Sequence, residues 1–243
     1  VTRRNVDHHA DNEVVSIMIE PVNTRLGLDG KLALVTAGTH GLGLAIASKL
    51  CDNGAHVILT TSADDPDLER AKLVLAGKPG SVTVTQLDIA DEHSVRLLLD
   101  QIKQDRGQLD MFVHHAVSPD LTPLLNVVEP LAKAFVDGGR VVIAGYTVTP
   151  VHGVIRTLAL EMAWYRVAVN AVVTTVVDNG PMNIDPDLVD RLAIKSPSGR
   201  VTLPQDIANA VALLCTDEAS WIQGQVITVD GGLELLERWG ETR

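Results

Sequence analysis

From Lys31 onward the chain alternates short apolar runs with longer stretches whose apolar residues recur every three or four positions. LALVT (32–36), HVILT (56–60), VTVTQLD (82–88), MFVHHA (111–116), RVVIAG (140–145), VAVNAVV (167–173) and QVITVD (225–230) are rich in β-branched residues and have the length of strands. LGLAIASKLCDNG follows the first of them, and PDLERAKLVLAG, DEHSVRLLLDQIKQ, PLLNVVEPLAKAFVDGG, PVHGVIRTLALEMAWY and PQDIANAVALLCTDEA fall between the others, all with helical spacing. Asp91 before Glu92 and Pro204 before Asp206 read as helix starts, and Gly54, Gly77 and Gly138 stand where helices should stop. Strand alternating with helix this often predicts an α/β fold: a doubly wound, mostly parallel seven-stranded sheet with helices on both faces, joined by right-handed crossovers. Residues 1–29 are polar apart from VVSIMI (14–19) and read as an N-terminal extension to one domain spanning 30–243.

Composition sharpens this picture. At 243 residues the chain suits one α/β domain. Hydrophobic residues make up 46% of it and aromatics only 3%, so the core must be built from aliphatic side chains, as in a parallel sheet covered on both faces. A formal net charge of −11 with no compensating basic stripe argues against a nucleic-acid partner. Cys51 and Cys215 are too few and too far apart for a disulfide framework or metal knuckle, which fits a reducing compartment. No apolar run approaches the roughly 20 residues of a membrane span, and Arg3-Arg4 is followed by Asp7, Asp11 and Glu13 rather than a signal-peptide core. The expectation is a soluble, cytoplasmic protein with no membrane partner.

The chemistry begins at TAGTHGLG (36–43). Its glycines fall between a strand and a helix, where backbone N–H groups and a helix N-terminus can meet a pyrophosphate; a plain glycine-rich turn would read the same way. His114 and His115 are adjacent on a strand, point to opposite faces and cannot share a metal ion, and no metal site is expected.

Several segments together resemble the short-chain dehydrogenase/reductase family. TAGTHGLGLAIA is similar to its TGxxxGxG motif with Ala37 at the first glycine, LDI (87–89) to its Asp-Val pair, and LDMFVHHAV (109–117) to its LDxLVNNAG strand. GVIRTLALEMAWYRVAVNAV (153–172) is similar to its fifth helix and sixth strand, and residues 199–232 to its C-terminal third. The resemblance, from about residue 30 to 233, implies a Rossmann-type domain that binds NADP or NAD. It places the cofactor against Ala37, Thr39, His40, Gly41, Leu42, Gly43, Thr61, Ser62, Asp88, Ile89, His115, Ala116, Val117 and Asn179. Within that set Asp88 would bond the adenine amino group, Ile89 would pack beside the ring, and Asn179 sits near the family's carboxamide-binding Thr. No carboxylate stands at Thr61, and His40 occupies a loop position where a basic residue often meets a 2′-phosphate, which leans toward NADP. Two departures bear on that binding: Val117 replaces a glycine, and TTVVDNGPM (174–182) replaces the Pro-Gly that opens the substrate loop.

The family's catalytic pair, a Tyr hydroxyl and a Lys four residues later on a helix, has no match. Counted back from Gly153, those positions fall at Ala144 and Val148, and the chain has only two tyrosines, Tyr146 and Tyr165. Tyr165 sits where the family has a structural tyrosine. Tyr146 lies either in a contracted remnant of YxxxK, with Pro150 in place of Lys, or at the family's strand-end Ser. His152 follows the lost Lys position by one helical turn, and Asp120 falls near the family's Asn, so Tyr146, His152 and Asp120 are the candidate catalytic residues. Compared with the family, the chain is also shorter between His115 and the fourth helix and again after the fifth strand. Three readings stand: an NAD(P)-dependent oxidoreductase acting on a small-molecule carbonyl or alcohol with a rearranged active site, a non-catalytic dinucleotide-binding or scaffolding member, and a non-redox enzyme reusing the cleft. The expected assembly is a homo-oligomer, a dimer.

Overall fold

A computed structural model describes residues 26–62, 64–116, 124–125, 127–146, 151–178 and 186–239. Seven strands, β1 (Leu32–Val35), β2 (His56–Thr61), β3 (Ser81–Gln86), β4 (Leu109–Ala116), β5 (Phe135–Tyr146), β6 (Ala168–Thr174) and β7 (Val226–Thr228), form one sheet in the order β3-β2-β1-β4-β5-β6-β7. Every pairing is parallel. The helices are α1 (Gly41–Asp52), α2 (Leu68–Leu75), α3 (Glu92–Asp105), α4 (Val128–Ala134), α5 (Val151–Ala163), α6 (Pro186–Lys195), α7 (Pro204–Leu214) and α8 (Leu233–Trp239). This is the doubly wound, single-domain architecture that the alternation predicts.

Side-chain alternation along the strands splits the core in two. Phe112, Val141 and Ile143 face a cluster with α3, α4 and α5, whereas Met111, Val113, Val142 and Ala144 face one with α1 and α7. Leu26 and Leu28 already belong to the packed structure: Leu28 is fully buried and the Leu26 amide donates to Asn53 Oδ1 at 3.0 Å. The Asp91 carboxylate caps α3 by accepting from the His93 amide, and Pro204 opens α7, as their positions in the sequence suggest.

Two helices, α6 and α8, are absent from the sequence reading, and one is cut short. The predicted fourth helix ran through AFVDGG, but α4 stops at Ala134 and β5 starts at Phe135. The pairing of β5 with β4 is irregular there, jumping from Leu109↔Phe135 to Met111↔Arg140, and Gly138 (φ 86°) lies in the jump instead of ending a helix. Arg140, buried at the start of β5, donates from Nε to the Thr216 carbonyl at 3.2 Å and also to the Gly138 and Gly139 carbonyls, so two carbonyls of this irregular stretch are matched.

Candidate cofactor cleft

Because all strands run parallel, their carboxyl ends share one edge of the sheet, and chain direction across the sheet reverses between β1 and β4. A crevice outside the carboxyl ends at such a switch point is where an open α/β sheet binds ligands. The cleft found there has a volume of about 720 Å³.

Its first wall is the turn from β1 into α1. The Thr36 amide donates to the Val113 carbonyl and the Gly38 amide to Thr60, fastening the turn to both neighbouring strands. Ala37 has φ 48°, so the position calls for glycine on backbone grounds. A Cβ on Gly43 would lie 2.1 Å from the Ala37 carbonyl oxygen, so this glycine lets α1 sit tightly on the turn. The cap residue His40 makes no side-chain hydrogen bond to the helix, and the first turn holds no acidic residue. The helix N-terminus is therefore left for an external anion, which fits a dinucleotide's pyrophosphate. Gly41, Leu42 and Gly43 offer only backbone N–H groups to it, since the Leu42 side chain is buried in the core.

The second wall comes from the ends of β2 and β3. Thr61, Ser62, Asp88 and Ile89 line the cleft, and Asp88 Oδ1 accepts from the Ala90 amide at 2.9 Å, which orients the carboxylate in a short turn. The residue the sequence reading missed is Asp65. Its Oδ2 accepts from Thr39 Oγ1 at 2.5 Å and from Thr61 Oγ1, while its Oδ1 accepts from the Asp67 amide at 2.9 Å. Burial pushes this carboxyl up, but the Thr39, Thr61 and Asp67 hydrogen bonds together with nearby His40 outweigh it and hold it below the ordinary carboxylate value. Position 61 itself carries no carboxylate, but the loop after β2 returns one to the same place. The only available signal was the acidic run Asp64-Asp65-Pro66-Asp67, in which nothing marks Asp65 as the inward one.

The third wall is β4. Thr36 Oγ1 accepts from the His115 amide at 3.1 Å and shares a hydrogen bond with His114 Nδ1 at 2.9 Å. Burial, with a smaller contribution from His115, lowers the His114 ring to about 4, so it is neutral at neutral pH. His115 lines the cleft beside it, its Nδ1 3.3 Å from the Ala37 carbonyl oxygen.

Of the candidate catalytic residues, Tyr146 and His152 fall within the described residues. Tyr146 is the last residue of β5, paired with Thr174 of β6, and four residues (147–150) separate it from α5. His152 is exposed on the first turn of α5 and lines none of the described cavities. Val117, Asp120 and Asn179 lie outside the described residues, and of Ala116 only the backbone, at the end of β4, is described. Counting back from Gly153 fails as a guide to the helical Tyr and Lys positions. Ala144 lies inside β5, fully buried and paired with His115 and Val172, so it cannot correspond to a residue on a helix. The two cysteines take no part: burial raises Cys51 to about 11 and Cys215 to about 12, which leaves both as inert thiols. Among the described residues no helix is long and apolar enough to cross a membrane.

Comparison with known proteins finds two matching family models and several relatives over most of the chain. Residues 31–136 match the family model described as short chain dehydrogenase, and residues 146–234 match the model described as enoyl-(acyl carrier protein) reductase. Dehydrogenase/reductase SDR family member 4 of Bos taurus is 31% identical over 245 residues, covering 84% of this chain and 88% of that one. The 3-oxoacyl-[acyl-carrier-protein] reductase FabG of Haemophilus influenzae is 29% identical over 246 residues, covering 86% of this chain and all of the other. Among solved structures, a short-chain dehydrogenase/reductase from Serratia marcescens superposes with a TM-score of 0.72 at 26% identity, covering 85% of this chain and 98% of that one.

Proposed function

Because the chain belongs to the short-chain dehydrogenase/reductase family, we propose that it is an NAD-dependent oxidoreductase interconverting a small-molecule carbonyl and its alcohol, with a rearranged active site beyond the carboxyl ends of β4 and β5. The observation that carries this reading is the Asp65 carboxylate, held between Thr39 and Thr61 in a cleft that also presents an uncapped helix N-terminus. When bound, the dinucleotide supplies or accepts the hydride.

The protein's own residues do the rest. The first-turn N–H groups of α1 hold the pyrophosphate, Asp88 takes the adenine amino group, and Ile89 packs on the ring. Asp65 accepts a hydroxyl hydrogen of the adenosine ribose. A 2′-phosphate at the same place would bring like charges together, with no arginine or lysine among the described residues that line the cleft, so NAD is favoured over NADP. His40 alone does not reverse this preference, because it neighbours the same carboxylate. Tyr146 carries the proton chemistry: its phenol protonates the carbonyl oxygen during reduction and recovers a proton from solvent, with exposed His152 on the adjoining helix as the relay.

Calorimetric titration of NADH and NADPH, followed by turnover on a carbonyl panel beside Tyr146→Phe, tests the reading. Expected are tighter binding of NADH than of NADPH by about tenfold or more, corresponding to one decisive polar contact, and turnover that Tyr146→Phe abolishes. Binding of neither nucleotide, or full turnover in Tyr146→Phe, would overturn it.

A further inference from the structure

His115 stands at the point of the cleft where the described walls change from the adenosine side to the reacting side. Across the sheet, the cleft takes Asp88 and Ile89 from beyond β3, Thr61 and Asp65 from β2 and its loop, the glycine-rich turn from β1, and His115 from β4. A dinucleotide laid along this row, with adenine beyond β3 and pyrophosphate at the α1 N-terminus, brings its second ribose to β4.

The ring's protonation follows from its partner. His115 is 7% exposed, and Nδ1 lies 3.3 Å from the Ala37 carbonyl oxygen. A carbonyl can only accept, so Nδ1 carries the hydrogen. Burial, aided by nearby His40 and only partly offset by the Ala37 hydrogen bond, lowers the ring and keeps it neutral. A neutral ring with its hydrogen on Nδ1 has a lone pair on Nε2, and among the described residues that atom has no partner. A buried acceptor at this place would repel a phosphate oxygen and suits a hydroxyl.

We infer that His115 Nε2 accepts a hydroxyl hydrogen from the nicotinamide-side ribose of the bound dinucleotide, an inference that rests on the dinucleotide reading above. The role is one of positioning: it fixes the second ribose against β4, next to the β5 end that carries Tyr146.

Two substitutions separate the ring's two nitrogens. In His115→Asn the amide can still donate to the Ala37 carbonyl but places nothing where Nε2 was, whereas His115→Gln extends an amide oxygen toward that place. Calorimetry with NADH, ADP-ribose and ADP reads the difference, because ADP lacks the second ribose and also reports whether each variant is folded. His115→Asn is expected to weaken NADH and ADP-ribose about tenfold, the size of one neutral hydrogen bond. ADP should stay within about twofold, and His115→Gln should recover most of the loss. Equal weakening of ADP and ADP-ribose, or no change in any of the three, overturns the inference while leaving the dinucleotide reading intact. A wild-type protein that binds neither NADH nor ADP-ribose overturns both.

Discussion

Thr39 donates its hydroxyl to Asp65 at 2.5 Å, tying the turn after β1 to the loop after β2 across the mouth of the cleft. Thr61 donates to the same oxygen, so one carboxylate ties the turn after β1 to both the end of β2 and the loop that follows it. If this carboxylate selects the cofactor, Asp65→Asn should reduce the preference for NADH over NADPH by about tenfold, measured as the ratio of the two dissociation constants.

The same contact has a pH signature. The folded Asp65 carboxyl titrates below its ordinary value, so its stabilisation is complete above the unfolded value of about 4 and is lost as pH falls through the lower folded value. Wild type should have a higher thermal midpoint than Asp65→Asn at pH 7, and the gap should close below about pH 4.

His114 sets a separate and higher window. Between 6.5 and about 4 the unfolded chain takes up a proton that the buried ring refuses. Stability should therefore fall as pH drops across that interval and level off below it, by an amount of about 3 kcal/mol for a shift of this size. His115 is lowered in the same direction and adds to the slope. His114→Asn should flatten the dependence in urea melts at pH 4.5, 5.5 and 6.5.

Ala37 at φ 48° carries backbone strain of about 1–2 kcal/mol, partly offset by the smaller conformational freedom of alanine in the unfolded chain. Ala37→Gly should raise stability by about 0.5–1 kcal/mol in urea unfolding. A loss of stability would show that the methyl group packs well enough to outweigh the strain.

Two glycines that each stand in the first turn of a helix but differ in their surroundings make an internal control. Gly43→Ala puts a methyl 2.1 Å from the Ala37 carbonyl and 2.9 Å from Gly38 Cα, both backbone, and should cost more than about 2 kcal/mol together with nucleotide binding. Gly153 on α5 is exposed with open space around its Cβ position, so Gly153→Ala should stabilise the helix by up to about 1 kcal/mol.

Hydrophobic periodicity by itself determined the sheet and most of its helices, because a strand buried on both faces and a helix buried on one leave distinct spacings in the chain. The glycine spacing separately marked the turn after β1, since the steric limits at Gly41 and Gly43 act over a few residues and read directly as motif, whereas the strain at Ala37 showed only in the fold. The periodicity did not show where α4 gives way to β5, because AFVDGG is apolar and then glycine-rich in a way that suits either element. Nor did it identify Asp65 as a wall of the cleft. A carboxylate's role depends on which hydroxyls meet it, and Thr39 and Thr61 reach Asp65 only once β1 and β2 lie side by side. The protonation of His115 belongs to the same class: a histidine is ambiguous in sequence, and only the Ala37 carbonyl opposite Nδ1, brought there by the pairing of β1 with β4, decides which nitrogen carries the hydrogen.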